Sequence, residues 1–232
     1  MIKPTHPKFL LIDTSGNPGV VAIAENDTVR ASRSLDKARR HARDLAPVLA
    51  QLLQEQLWRP EDISAVVACC GPGSYTGLRV GLITAKTFAF ATGCRLLGIG
   101  TFFAIAFQAA AEIVDVIADA QQDKIYVQRF QRQPPAQAAR EITPLQILHV
   151  TDWLKSLTPE VWVSGPGLAL HRSRLPGYVR LAAESLWQVQ PESLLRLGLD
   201  RLSRDERDDW ATLEPLYLRP SSAEEKHAKN LT

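Results

Sequence analysis

Cysteine is scarce in this chain. The 232 residues contain Cys69, Cys70 and Cys94, an odd number embedded in apolar runs. A disulfide framework is therefore excluded as the basis of the fold, and the three read as reduced core residues of a cytosolic protein. Adjacent Cys69 and Cys70 would point to opposite faces of a strand and are poor partners for each other. Long hydrophobic runs are missing too: none reaches the roughly 18 residues of a membrane span, and no apolar block of signal length follows Lys3 and Lys8. A soluble, cytoplasmic chain without membrane association is expected. Nor is there an excess of one charge sign, with 27 Lys plus Arg against 25 Asp plus Glu and a formal charge of +2. That balance does not suit a protein that holds nucleic acid mainly by phosphate contacts. Arg30, Arg33, Lys37, Arg39, Arg40 and Arg43 lie close in sequence; they read as a local basic patch or as a solvated helix face laced with salt bridges.

The constellations that usually carry catalysis are missing as well. None of the five histidines (His6, His41, His149, His171, His227) lies four residues from another, and no Cys-x-x-Cys exists, so no metal centre is expected. Gly71-Pro72-Gly73-Ser74-Tyr75 lacks the Gly-x-Ser-x-Gly spacing of a nucleophile elbow. Neither Gly71 to Arg79 nor Gly165 to Leu168 ends in the Gly-Lys-Ser/Thr of a Walker loop. No catalytic residue is assigned.

What the sequence does contain is an α/β pattern. At 45% hydrophobic residues the chain can bury a sizeable core. Phe9 to Ile12, Val20 to Ala24 and Val29 to Arg33 read as three strands of an antiparallel meander, separated by the turns Gly16-Asn17-Pro18-Gly19 and Asn26-Asp27. Asp36 to Leu57 has a helical period in Ala38, Ala42, Leu45, Leu49, Leu52 and Leu53, with a bend expected at Pro47. A short β-branched strand, Ile63 to Cys70, precedes a second helix from Thr76 to Ala91, then a strand at Arg95 to Ile99 and a helix at Thr101 to Ala111. The order is β-β-β-α-β-α-β-α, an α/β domain of mixed strand direction. Beyond it, Val114 to Ala118 and Lys124 to Phe130 read as paired strands, Gln131 to Ala139 as a polar surface loop, Leu145 to Leu157 as partly helical, Val161 to Val163 as a strand and Glu192 to Leu202 as a helix. We expect a first unit at 1–111, a second, strand-poor unit at 112–220 and a frayed tail at 221–232.

The nine residues Gly71-Pro72-Gly73-Ser74-Tyr75-Thr76-Gly77-Leu78-Arg79 are the most informative stretch. Gly71 and Gly73 suit positive φ or close approach, Ser74 and Thr76 are candidate caps, and the amides at the helix start would suit an anion. Residues 63–81 as a whole resemble the signature of the TsaB (YeaZ) family. Further agreement comes from Ile12-Asp13-Thr14-Ser15, from His41 ahead of Leu45-Ala46-Pro47, from Asp119-Ala120 followed by Ile125-Tyr126-Val127, and from Pro215-Leu-Tyr-Leu-Arg219 as a C-terminal strand. One departure is Gln121, where the family usually carries arginine.

The resemblance implies an actin-like, ribonuclease-H-like fold with a reduced second half. It implies a non-catalytic accessory role in the tRNA modification N6-threonylcarbamoyladenosine (t6A37), with the catalytic paralogue TsaD as heterodimer partner and the ATPase TsaE as third component. The tRNA would be met through the assembled complex, and a homodimer could use the same face. The chain alone needs no cofactor, while ATP or ADP could sit at the complex interface. Asp13, at the end of the first strand, matches the aspartate of the magnesium-phosphate region of actin-like ATPases; the residues themselves favour its capping the Thr14 to Gly16 turn through its carboxylate. Two readings stay open beside this one: an independent nucleotide-dependent phosphotransferase, and a partner-free nucleotide-binding module.

The second helix carries Gly77, Gly81 and Ala85 at four-residue spacing, a low-profile stripe that another helix could approach. Two interior glycines cost about 0.8–1 kcal/mol each relative to alanine, so they need a packing reason. That reason is either intramolecular packing or a helix bundle between chains. On the second reading the partner interface comprises His41, Leu45, Leu49, Gly77, Gly81 and Ala85.

Overall fold

A computed structural model describes residues 6–35, 41–133 and 138–218. The chain opens with β1 (Lys8–Asp13), β2 (Val20–Glu25) and β3 (Thr28–Ser34), followed by α1 (His41–Glu55), β4 (Ala65–Gly71), α2 (Tyr75–Thr92), β5 (Arg95–Gly100) and α3 (Thr101–Gln108). These elements form a five-stranded sheet in the order β3-β2-β1-β4-β5. The first three strands pair antiparallel through short turns, whereas β1, β4 and β5 run parallel because helices make the crossovers.

Strand alternation sorts the first sheet into two buried faces. Leu10, Ile12, Val21, Ile23, Val66 and Ala68 meet Leu45, Leu49, Leu52 and Leu53 of α1 and Leu82, Ala85 and Ala89 of α2. Phe9, Leu11, Ala22, Val67 and Leu97 face the other way, toward α3 and α6 (Pro191–Ser203). Each fully buried Leu or Ile here contributes about 1.5–3 kcal/mol relative to exposure. α6 approaches so closely that a Cβ on Gly198 would stand 2.6 Å from Val67 Cγ2. α1 runs through Pro47, which lies on its exposed side.

The second sheet is built from β6 (Ile113–Asp119), β7 (Lys124–Gln133), β8 (Ala138–Glu141), β9 (Gln146–His149), β10 (Val161–Ser164) and β11 (Arg180–Leu181), with α4 (Val150–Lys155) and α5 (Leu168–His171) against it. Its order is β11-β10-β6-β7-β8, with β9 also on β7. Among the described residues the second half is thus short of helices rather than of strands. The expected loop at 131–139 is largely strand: β7 reaches Gln133 and β8 resumes at Ala138, pairing Arg132 with Ala139. A buried network anchors this half, since Asp115 accepts Arg129 Nε at 2.6 Å, Arg129 Nη2 at 2.9 Å and Trp153 Nε1 at 2.9 Å.

Gln121 lies in the β6–β7 turn, where Gln121, Gln122 and Asp123 all have positive φ (63°, 54° and 57°). Lys124 N donates to Gln121 O at 3.0 Å, and Gln121 N donates to Asp119 Oδ1 at 3.0 Å. Its backbone forms the turn while its side chain is at the surface. The C-terminal strand expected at 215–219 is not formed over the described part: residues 214–217 are irregular, although Leu216 N donates to Cys70 O at 2.7 Å. The expected tail at 221–232 and the helix start at 36–40 lie outside the described residues.

Candidate functional site

The signature loop is an internal joint. β4 ends at Gly71, whose φ of 111° favours glycine and whose amide donates to Thr101 Oγ1 at 3.2 Å. Gly73 lies flat on the turn after β1: a Cβ there would come 2.6 Å from Ser15 O. Ser74 caps α2, its hydroxyl accepting Gly77 N at 3.2 Å, and its own amide donates to Ser15 O at 2.7 Å. The Ser74 and Gly77 amides, which the sequence offers to an anion, are thus spent within the chain. Pro72 is buried; Thr76 and Arg79 point to the surface and Tyr75 is half-buried.

Asp13 closes the opposite side of this joint. It is 3% exposed, and its Oδ1 accepts Ser15 N at 2.9 Å, the turn-capping role the residues allow. A Cβ on Gly16 would stand 2.5 Å from Gln188 Oε1, so the second half presses on the same turn. A nucleotide phosphate needs outward-facing donors and a solvent-accessible carboxylate for its metal. The Asp13 turn does not fit that group, and no step is built on one. Among the described residues, no three His, Cys, Asp or Glu side chains gather as a metal would require, and no helix is long and apolar enough to cross a membrane.

The small-residue stripe faces inward. Thr14 Oγ1 donates to Gly77 O at 2.7 Å. A Cβ on Gly77 would overlap Thr14 O, and one on Gly81 would overlap Thr14 Oγ1. Gly77, Gly81, Ala85, Leu45 and Leu49 are all buried within the chain. Of the two reasons for the stripe, intramolecular packing accounts for its spacing, because Thr14 of the β1 turn lies against both glycines. The side chain of His41 lies outside the described residues. Thr14, which sets the spacing of both glycines, was not identifiable from sequence, because nothing local links it to residues more than sixty positions away.

The surface that the two helices do present is their reverse side. On α2 it carries Thr76, Arg79, Ile83, Thr87 and Phe90; on α1 it carries Ala46, Pro47, Ala50 and Gln54. Ile83 is 61% and Phe90 65% exposed. A depression of about 370 Å³ runs along α2 between Tyr75, Arg79, Val80 and Ile83. Arg79 is held over the Tyr75 ring at 4.3 Å, and its Nε donates to Tyr217 Oη at 3.1 Å. The arrangement is a helix-built face of mixed apolar and polar side chains with Arg79 held in place, and among the described residues it gathers no acid, base and nucleophile together, the composition of a contact surface.

Known proteins agree with this architecture. A family model described as "TsaD: tRNA N6-adenosine threonylcarbamoyltransferase" matches residues 35–162. The chain is 28% identical over 229 residues to the tRNA threonylcarbamoyladenosine biosynthesis protein TsaB of Bacillus subtilis, covering 94% of this chain and 96% of that protein. It is 30% identical over 220 residues to an uncharacterized protein of Mycobacterium tuberculosis, covering 92% of each. The solved structure of YeaZ from Pseudomonas aeruginosa superimposes with a TM-score of 0.77 at 25% identity, covering 91% of this chain and all of that one. With the β-β-β-α-β-α-β-α first sheet, these similarities give the chain the mixed-sheet α/β fold of YeaZ, and the chain belongs to the TsaB (YeaZ) family.

Proposed function

We propose that this chain is a non-catalytic accessory subunit of t6A37 synthesis: it binds and stabilises the transferase TsaD, assembles with TsaE, and meets tRNA as part of that complex. The observation that carries the reading is the outward face of α1 and α2, where Ile83 remains exposed on a helix whose other side is packed. The helices assigned from sequence are retained in this proposal; the residues are exchanged for Ala46, Pro47, Ala50, Val80, Ile83 and Thr87. A second copy of the chain could use the same face, and a homodimer would then compete with TsaD. Any ATP or ADP is assigned to the boundary with the partner, as the family resemblance implies, and not to the buried Asp13 turn.

Reconstituted modification tests the reading. TsaD, TsaE, tRNA, ATP and threonylcarbamoyl-adenylate are combined with and without this chain, and t6A is counted on the tRNA. The chain should be required for turnover and should release no phosphate alone. Phosphate release by the isolated chain, lost on Asp13→Asn, would instead identify an independent phosphotransferase.

A further inference from the structure

After α6 the described residues form no regular element, yet they are fastened at short intervals. Asp205, at φ 62°, lets Glu206 N donate to Arg201 O at 3.0 Å and Asp205 N to Leu202 O at 3.1 Å, a Schellman-type reversal that turns the chain toward β5. β5 is an edge of the first sheet, and an edge leaves backbone groups unpaired. Here they are taken up: Asp208 N donates to Leu96 O at 2.8 Å, Gly98 N to Asp208 Oδ2 at 2.6 Å, and Arg201 Nη1 to Gly98 O at 2.8 Å. Arg201 also donates to both Asp208 oxygens, at 2.8 and 3.1 Å.

From Asp208 the segment runs back along α2, from its C-terminal end to its N-terminal end. Trp210 meets Phe90 edge to face with centroids 4.7 Å apart. Leu213 O accepts Lys86 Nζ at 3.0 Å. Leu216 N reaches Cys70 O at the end of β4, and the Tyr217 ring lies 4.5 Å from that of Tyr75 while its hydroxyl accepts Arg79 Nε. Phe90, Lys86, Arg79 and Tyr75 are thus held in turn from outside.

We propose that residues 205–218 are a latch that fixes α2 against the sheet, so that the Arg201–Asp208 pair at the end of α6 is energetically coupled to the outward face of α2. Trp210 and Leu216 stay 47% exposed beside that face, so the latch also sets which apolar surface a partner meets. Only this last consequence rests on the function proposed above.

The test uses full-length chains carrying Asp208→Ala, Tyr217→Ala or Lys86→Met, with backbone amide exchange followed by mass spectrometry. Each variant should exchange at least about tenfold faster across residues 79–90, with β6 and β7 unchanged. For Asp208→Ala the effect appears in a helix whose partners in the latch lie beyond the altered residue. Acceleration confined to residues 96–98 and 201–208, with α2 at the native rate, overturns the latch. Should Asp208→Ala fail to fold, Asp208→Asn decides by the same criterion. Affinity for TsaD is measured in parallel: faster α2 exchange with unchanged affinity upholds the latch and counts against the partner reading, while a fall of fivefold or more supports both.

Discussion

Thr14 and Gly77 are joined by a hydrogen bond from the threonine hydroxyl to the glycine carbonyl at 2.7 Å, across 63 residues of sequence. The same hydroxyl fills the space over Gly81. Gly81→Ala must displace it and should cost about 1–3 kcal/mol, the range for overpacking plus a lost buried hydrogen bond. Thr14→Ala alone should cost about 1 kcal/mol. The double variant should be less damaged than the sum, because the added methyl enters the space the hydroxyl left. Urea midpoints of the four proteins close this cycle; strict additivity would show that the two sites do not share that space.

Asp115 makes a second strong prediction. It is 1% exposed and accepts three hydrogen bonds from Arg129 and Trp153. Asp115→Ala leaves a guanidinium and an indole N–H without their acceptor and should destabilise by about 3–5 kcal/mol. Trp153→Phe removes one donor and part of the ring packing, and should cost less. Denaturant titration ranks the two.

How far the sequence reached depends on the kind of contact. The strands of the first sheet were legible because Phe9-Leu10-Leu11-Ile12 and Ala65-Val66-Val67-Ala68 are apolar on both faces, as strands covered by helices must be. The Gly77/Gly81/Ala85 row signalled a close approach, but spacing cannot say whether a strand turn or another chain makes it. The resolution came from Thr14, which only the folded chain brings near. Residues 205–218 have no period to read, and Arg79–Tyr217 pairs residues 138 positions apart. In the second half, β8, β9 and β11 have at most four residues each, too few to display alternation.

Acid should loosen the latch. Burial raises the Asp208 carboxyl, but the Arg201 guanidinium and the Gly98 amide outweigh it and hold the group below the ordinary carboxylate value. A depressed folded pKa means that the contribution is complete above the unfolded value, near pH 4, and is lost as pH falls through the folded value. Stability should therefore decline below about pH 4, and Asp208→Asn should flatten that part of the curve. Thermal melts of both proteins across this range provide the check.

The cysteines should be sluggish nucleophiles. Burial raises all three thiols, Cys70 to about 11 with Asp208 adding to the effect, and Cys69 well above its ordinary value. Because the thiolate reacts, native protein at neutral pH should be alkylated by iodoacetamide at least tenfold more slowly than the unfolded chain, an order-of-magnitude expectation from the lost thiolate. Mass spectrometry of timed samples reads the three rates.

The most direct test of the account is the affinity of TsaD for the Ile83→Asp variant, measured by calorimetry alongside its melting temperature. Ile83 is exposed and its replacement leaves the packed side of α2 untouched. Binding should weaken by about thirtyfold or more, the 2 kcal/mol of an interface hot spot, with melting unchanged. Native affinity in the folded variant would contradict the claim that the outward face of α1 and α2 receives the partner.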